Sequence, residues 1–166
     1  EHLHESLTAG DVALAVGEEI EYVMVKMENN FYVLAKDRVE EVFEDKQYEV
    51  MNKVKSKDLV GLGYEPLFDY YSKKVDLKNK ENGWKIYAAD FVNTEEGTGA
   101  VHIAPAFGED DMNLGKEHNL PFIQHVKFDG IFKDEVEDFK GLHVKPIEDP
   151  TSTDVEIIKN LAHNNL

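Results

Sequence analysis

Gly97-Thr98-Gly99-Ala100-Val101-His102-Ile103-Ala104-Pro105-Ala106-Phe107-Gly108-Glu109-Asp110-Asp111 packs a glycine-bracketed turn, a short strand and a helix start into fifteen residues. Glycine tolerates positive φ and close backbone approach, so Gly97 and Gly99 predict a tight turn at Thr98 with its backbone near a ligand. Ala100 to Ala104 reads as a strand. Alternation places Ala100, His102 and Ala104 on one face and Val101 and Ile103 on the other, leaving room beside the imidazole. Pro105 ends the strand, Gly108 loosens the chain, and Glu109-Asp110-Asp111 open a helix through Leu114 and Lys116, where the helix dipole favours carboxylates. Capping alone accounts for acidic residues at a helix start, and an isolated strand histidine is commonly a packed, hydrogen-bonded one. The combination in one stretch looks like a site.

Outward from this stretch, Ile20 to Lys26 and Phe31 to Ala35 form a predicted hairpin turning at Asn29-Asn30. Asp37 is placed to cap a short helix through Phe43, because Val39, Val42 and Phe43 share one stripe. Gln47 to Lys55 and Trp84 to Phe91 suit strands, with Asp58 to Gly63 turn-like and Asn79 to Gly83 a polar break. Phe122 to Val126 and Gly130 to Phe132 read as short strands around Asp129-Gly130, and Pro150 precedes a final helix with Val155, Ile158 and Leu161 on one stripe. Many short strands and about three helices favour a mainly β fold with peripheral helices, a β-barrel or α+β domain, over a parallel doubly wound sheet.

The 166 residues make one domain, 1–166, with a core of its own. A hydrophobic content of 42% with 31% charged residues belongs to a soluble globular protein, and no apolar run approaches the roughly 20 residues needed to span a bilayer. No membrane partner is expected. The start at Glu1, without initiator methionine or signal-peptide pattern, is read as a piece of a longer protein. Zero cysteine excludes disulfides, thiolate catalysis and cysteine zinc sites, and is compatible with a reducing, cytoplasmic setting. With 34 acidic against 18 basic residues the net charge is −16, so the average field repels a polyanion. Lys53-Val54-Lys55-Ser56-Lys57 either helps an RNA locally or is a solvated strand end. No His-x-x-x-His on a recognisable helix and no Ser/His/Asp triad is evident, so no metal ligands are assigned.

Gly97 to Asp111, with Leu120-Pro121 and Asp129-Gly130-Ile131-Phe132, resembles the editing domain inserted in class I isoleucyl-tRNA synthetases, which is related to those of the valyl and leucyl enzymes. Leu59-Val60-Gly61-Leu62-Gly63-Tyr64-Glu65-Pro66-Leu67-Phe68 is similar to the family's Leu-x-Gly-x-x-Tyr-x-Pro segment, and Val12-Ala13-Leu14-Ala15-Val16 to the end of its threonine-rich segment. The resemblance runs from about Ala13 to about Val144. It implies a closed six-stranded barrel decorated by helices, and hydrolysis of valine misattached to isoleucine tRNA. A missing methylene is worth only about 1–3 kcal/mol to a synthetic site, so a second, smaller pocket must remove the error.

The resemblance further implies Asp111 as the carboxylate gripping the α-ammonium of the misattached amino acid. It implies His102 as a holder of the terminal adenosine or attacking water, with general-base action the alternative. Thr8, Gly97, Thr98, Gly99, Ala104 and Phe107 form the implied substrate-binding set. The implied partners are the 3′ end of isoleucine tRNA carrying valine and the rest of the synthetase. This domain needs no cofactor, since ATP and magnesium belong to a synthetic domain that these residues do not include. One departure concerns the segment before Val12. Family members carry threonines and then Pro-Trp-Thr-Leu-Pro-Ser-Asn, whereas His4-Glu5-Ser6-Leu7-Thr8-Ala9-Gly10-Asp11 stands here, with Asp11 about where the asparagine falls. That departure supports a second reading, a non-catalytic domain binding an aminoacyl-adenosine or a protein partner in the same pocket. An unrelated acidic β-barrel interaction domain is the third.

Overall fold

The computed structural model describes residues 9–163. Its six strands form two three-stranded sheets. In the first, β1 (Ala13–Val16) is central, parallel to β5 (Lys85–Ala88) and antiparallel to β6 (Ala100–Ile103). In the second, β2 (Glu21–Met27) is central, antiparallel to both β3 (Asn30–Ala35) and β4 (Glu49–Lys55). The helices are short: α1 (Val39–Phe43), α2 (Ser56–Leu59), α3 (Glu109–Glu117) and α4 (Ser152–His163). The expected short strands with few helices are present, as two mixed or antiparallel sheets. The closed six-stranded barrel does not appear among the described residues, because the strands divide between two ladders.

Alternation along β2 explains why the sheets lie together. Val23 and Val25 point into a cluster with Leu34, Val39 and Phe43 under the hairpin sheet. Tyr22, on the opposite face, joins Val16, Ala35 and Leu59 in a second cluster, against which Ile86 and Ala100 of the first sheet pack. The Tyr22 hydroxyl donates to the Gly99 carbonyl at 2.6 Å and accepts from the Gly17 N–H at 3.0 Å. The Ala35 N–H donates to the Thr98 carbonyl at 2.8 Å, so the end of β3 is tied directly to the turn before β6. The main core gathers Val12, Ala13, Ala15, Trp84, Ile103, Leu114, Val126 and Phe132 on the other side of β1.

Several elements differ from the sequence reading for identifiable reasons. The hairpin turns at Glu28-Asn29, since Asn30 already pairs with Met27, and Glu28 takes the positive φ of +55°. No side chain caps α1. β5 runs only from Lys85 to Ala88, and it starts no earlier because Trp84 has φ +53°, which extended backbone does not permit. Phe122 to Val126 and Gly130 to Phe132 make only isolated bridges, Val126 to Phe132 and Ile131 to His143, around the Gly130 turn at φ +80°. In α4 the buried positions are Thr153 and Leu161, while Val155 and Ile158 face solvent.

Candidate functional site

β6 is an edge strand, and the cavity of interest is lined by it and by the segments on either side of it. It measures about 550 Å³ and is lined by Ala100, Val101, His102 and Ala104, by Gly97 and Gly99 of the preceding turn, and by Phe107 and Asp111 beyond it. Strict alternation would have kept Val101 away. At an edge, both faces of a strand border the open side, so Val101 contributes as well as His102. Asp11, Phe91, Asn93, Glu95 and Glu96 complete the wall.

The turn that begins the site is held from outside. Gly97 and Gly99 have φ +65° and +77°, as the glycine-bracketed motif predicts. Arg38, buried at the end of the 3-10 turn that leads into α1, donates through Nε to the Gly97 carbonyl at 2.9 Å and through Nη1 to the Glu95 carbonyl at 3.3 Å. Its Nη2 pairs with Glu41 at 2.6 Å. Thr98 does not line the cavity. It is exposed, and its carbonyl serves the Ala35 contact instead.

Asp111 is the third residue of α3, yet it caps nothing: α3 has no side-chain cap. Its Oδ2 accepts the Ala104 N–H at 2.9 Å, which fastens the end of β6 to the helix and satisfies a donor that an edge strand would leave open. Burial pushes its carboxyl above the ordinary range, opposed by the Ala104 N–H and assisted by the neighbouring charge of Asp110.

His102 pairs across the ladder with Leu14, and its Nδ1 lies 3.4 Å from Asp11 Oδ2. Burial holds its pKa below the usual imidazole value, so the ring is neutral at pH 7. On the other side of this pair lies a smaller cavity of about 220 Å³, lined by Leu14, Tyr64, Pro66, Leu67 and Phe68, to which Asp11 and His102 also belong. Tyr64 arrives there because residues 61–64 pair with β5: the Gly61 N–H donates to the Ile86 carbonyl, the Ile86 N–H to Leu62, and the Tyr64 N–H to Trp84. Its buried hydroxyl has no hydrogen-bond partner among the described residues, and burial together with the Asp11 charge raises its pKa.

Of the residues singled out from sequence, Asp111, His102, Gly97, Gly99, Ala104 and Phe107 converge on one cavity. Thr8 lies outside the described residues. Asp11 was noted as a departure, not as a neighbour of His102, and Glu95, Glu96 and Asn93 gave no signal beyond preceding the glycine turn. The Lys53 to Lys57 cluster is not part of either cavity wall, and Lys53 is ion-paired with Glu21 at 3.0 Å. Among the described residues no group of three or more His, Asp or Glu side chains is arranged to hold a metal ion, and no helix is long and apolar enough to cross a membrane.

Comparison with known proteins shows the family of the chain. The isoleucine–tRNA ligase of Bacillus thuringiensis (strain Al Hakam) is 39% identical over 156 residues, covering 94% of this chain and 14% of the ligase. That of Clostridium tetani (strain Massachusetts / E88) is 41% identical over 135 residues, covering 81% and 12%. The chain thus spans about a seventh of the length of these relatives. Among solved structures, the crystal structure of GlLeuRS-CP1, from a leucyl-tRNA synthetase, matches with a TM-score of 0.51 at 12% identity over 69% of this chain and 41% of that one, a likeness of fold. No family model matches the chain.

Proposed function

The chain is homologous over nearly its whole length to one segment of the isoleucine–tRNA ligases, and from that premise we propose that it is an editing domain that hydrolyses the ester of valine misattached to isoleucine tRNA. The observation that carries this reading is the convergence of Asp111, His102, Gly97 and Gly99 on one cavity beside β6. In this reading the α-ammonium of the aminoacyl group meets Asp111, whose carboxylate has one oxygen anchored on the Ala104 N–H and is thereby held in place. His102, neutral at pH 7, offers a nitrogen lone pair to a water or a ribose hydroxyl. Water attacks the ester carbonyl, the bond to the ribose oxygen breaks, and that oxygen takes up the proton the water loses. The partners are the 3′ end of the tRNA and the rest of the ligase, which holds the polyanion that a chain of net charge −16 would not attract. The domain itself uses no cofactor and acts in the cytoplasm.

The decisive experiment uses a ligase carrying this segment. Asp111→Ala is expected to slow release of valine from valylated isoleucine tRNA on the order of a hundredfold or more, the scale for removing a charged contact made in the transition state. Aminoacylation with isoleucine should be unaffected. Hydrolysis at the unsubstituted rate would overturn the reading. The second reading, a domain that binds an aminoacyl-adenosine without turnover, is favoured by Asp11 standing where the family's asparagine falls. Its signature is saturable binding of a non-hydrolysable valyl-adenosine with no valine release by the unsubstituted domain.

A further inference from the structure

Among the described residues the two cavities have otherwise separate walls and share Asp11 and His102. The backbone brings the two residues of this pair together. His102 stands opposite Leu14 in the β1–β6 ladder, and Asp11 precedes β1 at the point where the Val12 N–H donates to the Ile103 carbonyl at 2.9 Å. The side chains therefore leave neighbouring, hydrogen-bonded stretches of chain. They sit largely out of solvent, Asp11 13% exposed and His102 33%, with Asp11 Oδ2 3.4 Å from Nδ1.

A neutral imidazole has one N–H and one lone pair, and what the N–H meets decides which nitrogen carries which. A carboxylate facing Nδ1 favours the form with its proton there. Glu65, Glu95, Glu96 and Asp111 also line these cavities, but among the described residues the carboxylate that pairs with His102 is Asp11, and Asp111 has an oxygen committed to the Ala104 N–H. We propose that Asp11 is a positioning residue: it holds His102 in the Nδ1–H tautomer, so that Nε2 is the acceptor presented to the hydroxyl or water of a bound ligand. The separation of 3.4 Å exceeds the 2.7–3.2 Å or so of a formed N–H···O bond, and the pair tightens when the cavity is filled. The proposal deepens the editing reading and rests on it for the ligand, not for the pairing.

The test reads the tautomer directly, from long-range 1H–15N correlations of histidine-labelled chain at pH 7.5, with and without a non-hydrolysable valyl-adenosine. Unsubstituted His102 is expected with its proton on Nδ1, the opposite of the form histidine prefers in water. Asp11→Asn, which keeps an acceptor oxygen, should retain that form, and Asp11→Leu should move the proton to Nε2. A proton on Nε2 in the unsubstituted chain, or no change in Asp11→Leu, overturns the proposal. Because the unsubstituted spectrum alone decides the first point, loss of folding in a variant does not shield it. Nδ1–H in a chain indifferent to Asp111→Ala in valine release would leave the pairing standing and remove the editing reading.

Discussion

At Gly99 two demands fall on one atom that is not there. Its φ is +77°, and an added Cβ would lie 2.5 Å from the Cβ of Ala35. Gly97, at φ +65°, has nothing within 4 Å of the same imagined atom. Gly99→Ala is therefore expected to lose about 3 kcal/mol or more, strain plus overpacking, and Gly97→Ala only about 1 kcal/mol, as urea midpoints would show. Equal losses would mean that the Ala35 contact yields freely. The need for a turn was legible in Gly-Thr-Gly, because positive φ is a local property. What lies opposite Gly99 was not, since Ala35 is placed there by a different sheet. The same holds at Asp111: its position at a helix start suggested capping, while its actual partner, the Ala104 N–H, depends on how α3 folds back over β6.

Among elements, the short α1 region has a reach its sequence does not advertise. Val39, Val42 and Phe43 reveal the helix through their spacing, but Arg38 acts on carbonyls 57 and 59 residues away, at Glu95 and Gly97. Arg38→Met keeps much of the stem's bulk and removes the donors. Loss of these bonds is expected to cost about 1–2 kcal/mol and to raise hydrogen exchange across residues 95–99 roughly tenfold, with exchange in β2 unchanged. Uniform acceleration everywhere would instead indicate global destabilisation. The hairpin was readable because its strands find each other locally. Phe122 to Val126 was misread as a strand because extended, apolar sequence does not supply a neighbour, and α4 buries Thr153 where an aliphatic stripe pointed to Val155 and Ile158. The Thr153 hydroxyl donates to the His143 carbonyl at 2.7 Å, which a hydropathy pattern has no means of announcing.

Across the whole molecule, His125 links the segment before β1 to the region beyond α3. It is 2% exposed, packed against Gly10 and the rings of Phe107 and Phe132, with no hydrogen-bond partner for Nδ1 among the described residues. Burial, aided by Lys133, lowers its pKa to about 4. The unfolded chain takes up that proton near pH 6.5 and the folded chain does not, so stability is full above about 6.5 and falls as pH drops towards 4, by up to about 3 kcal/mol. Burial of His102 acts in the same direction, while the raised pKa of Asp111 acts in the opposite one at lower pH. Protonation of the many carboxylates also relieves the repulsion of a −16 chain, so the contribution is isolated by difference. His125→Phe should lose less stability than the unsubstituted chain between pH 7 and 4.5, and parallel curves would refute the assignment. A last consequence concerns β1, whose partners are Lys85–Ala88 and Ala100–Ile103. During synthesis at about 5–20 residues per second, the hairpin sheet is complete roughly three to ten seconds before Asp111 is added. Until Lys85–Ala88 is added Ala-Leu-Ala-Val waits without either neighbour, an apolar segment open to chaperones, and the cavity beside β6 cannot be completed before Asp111.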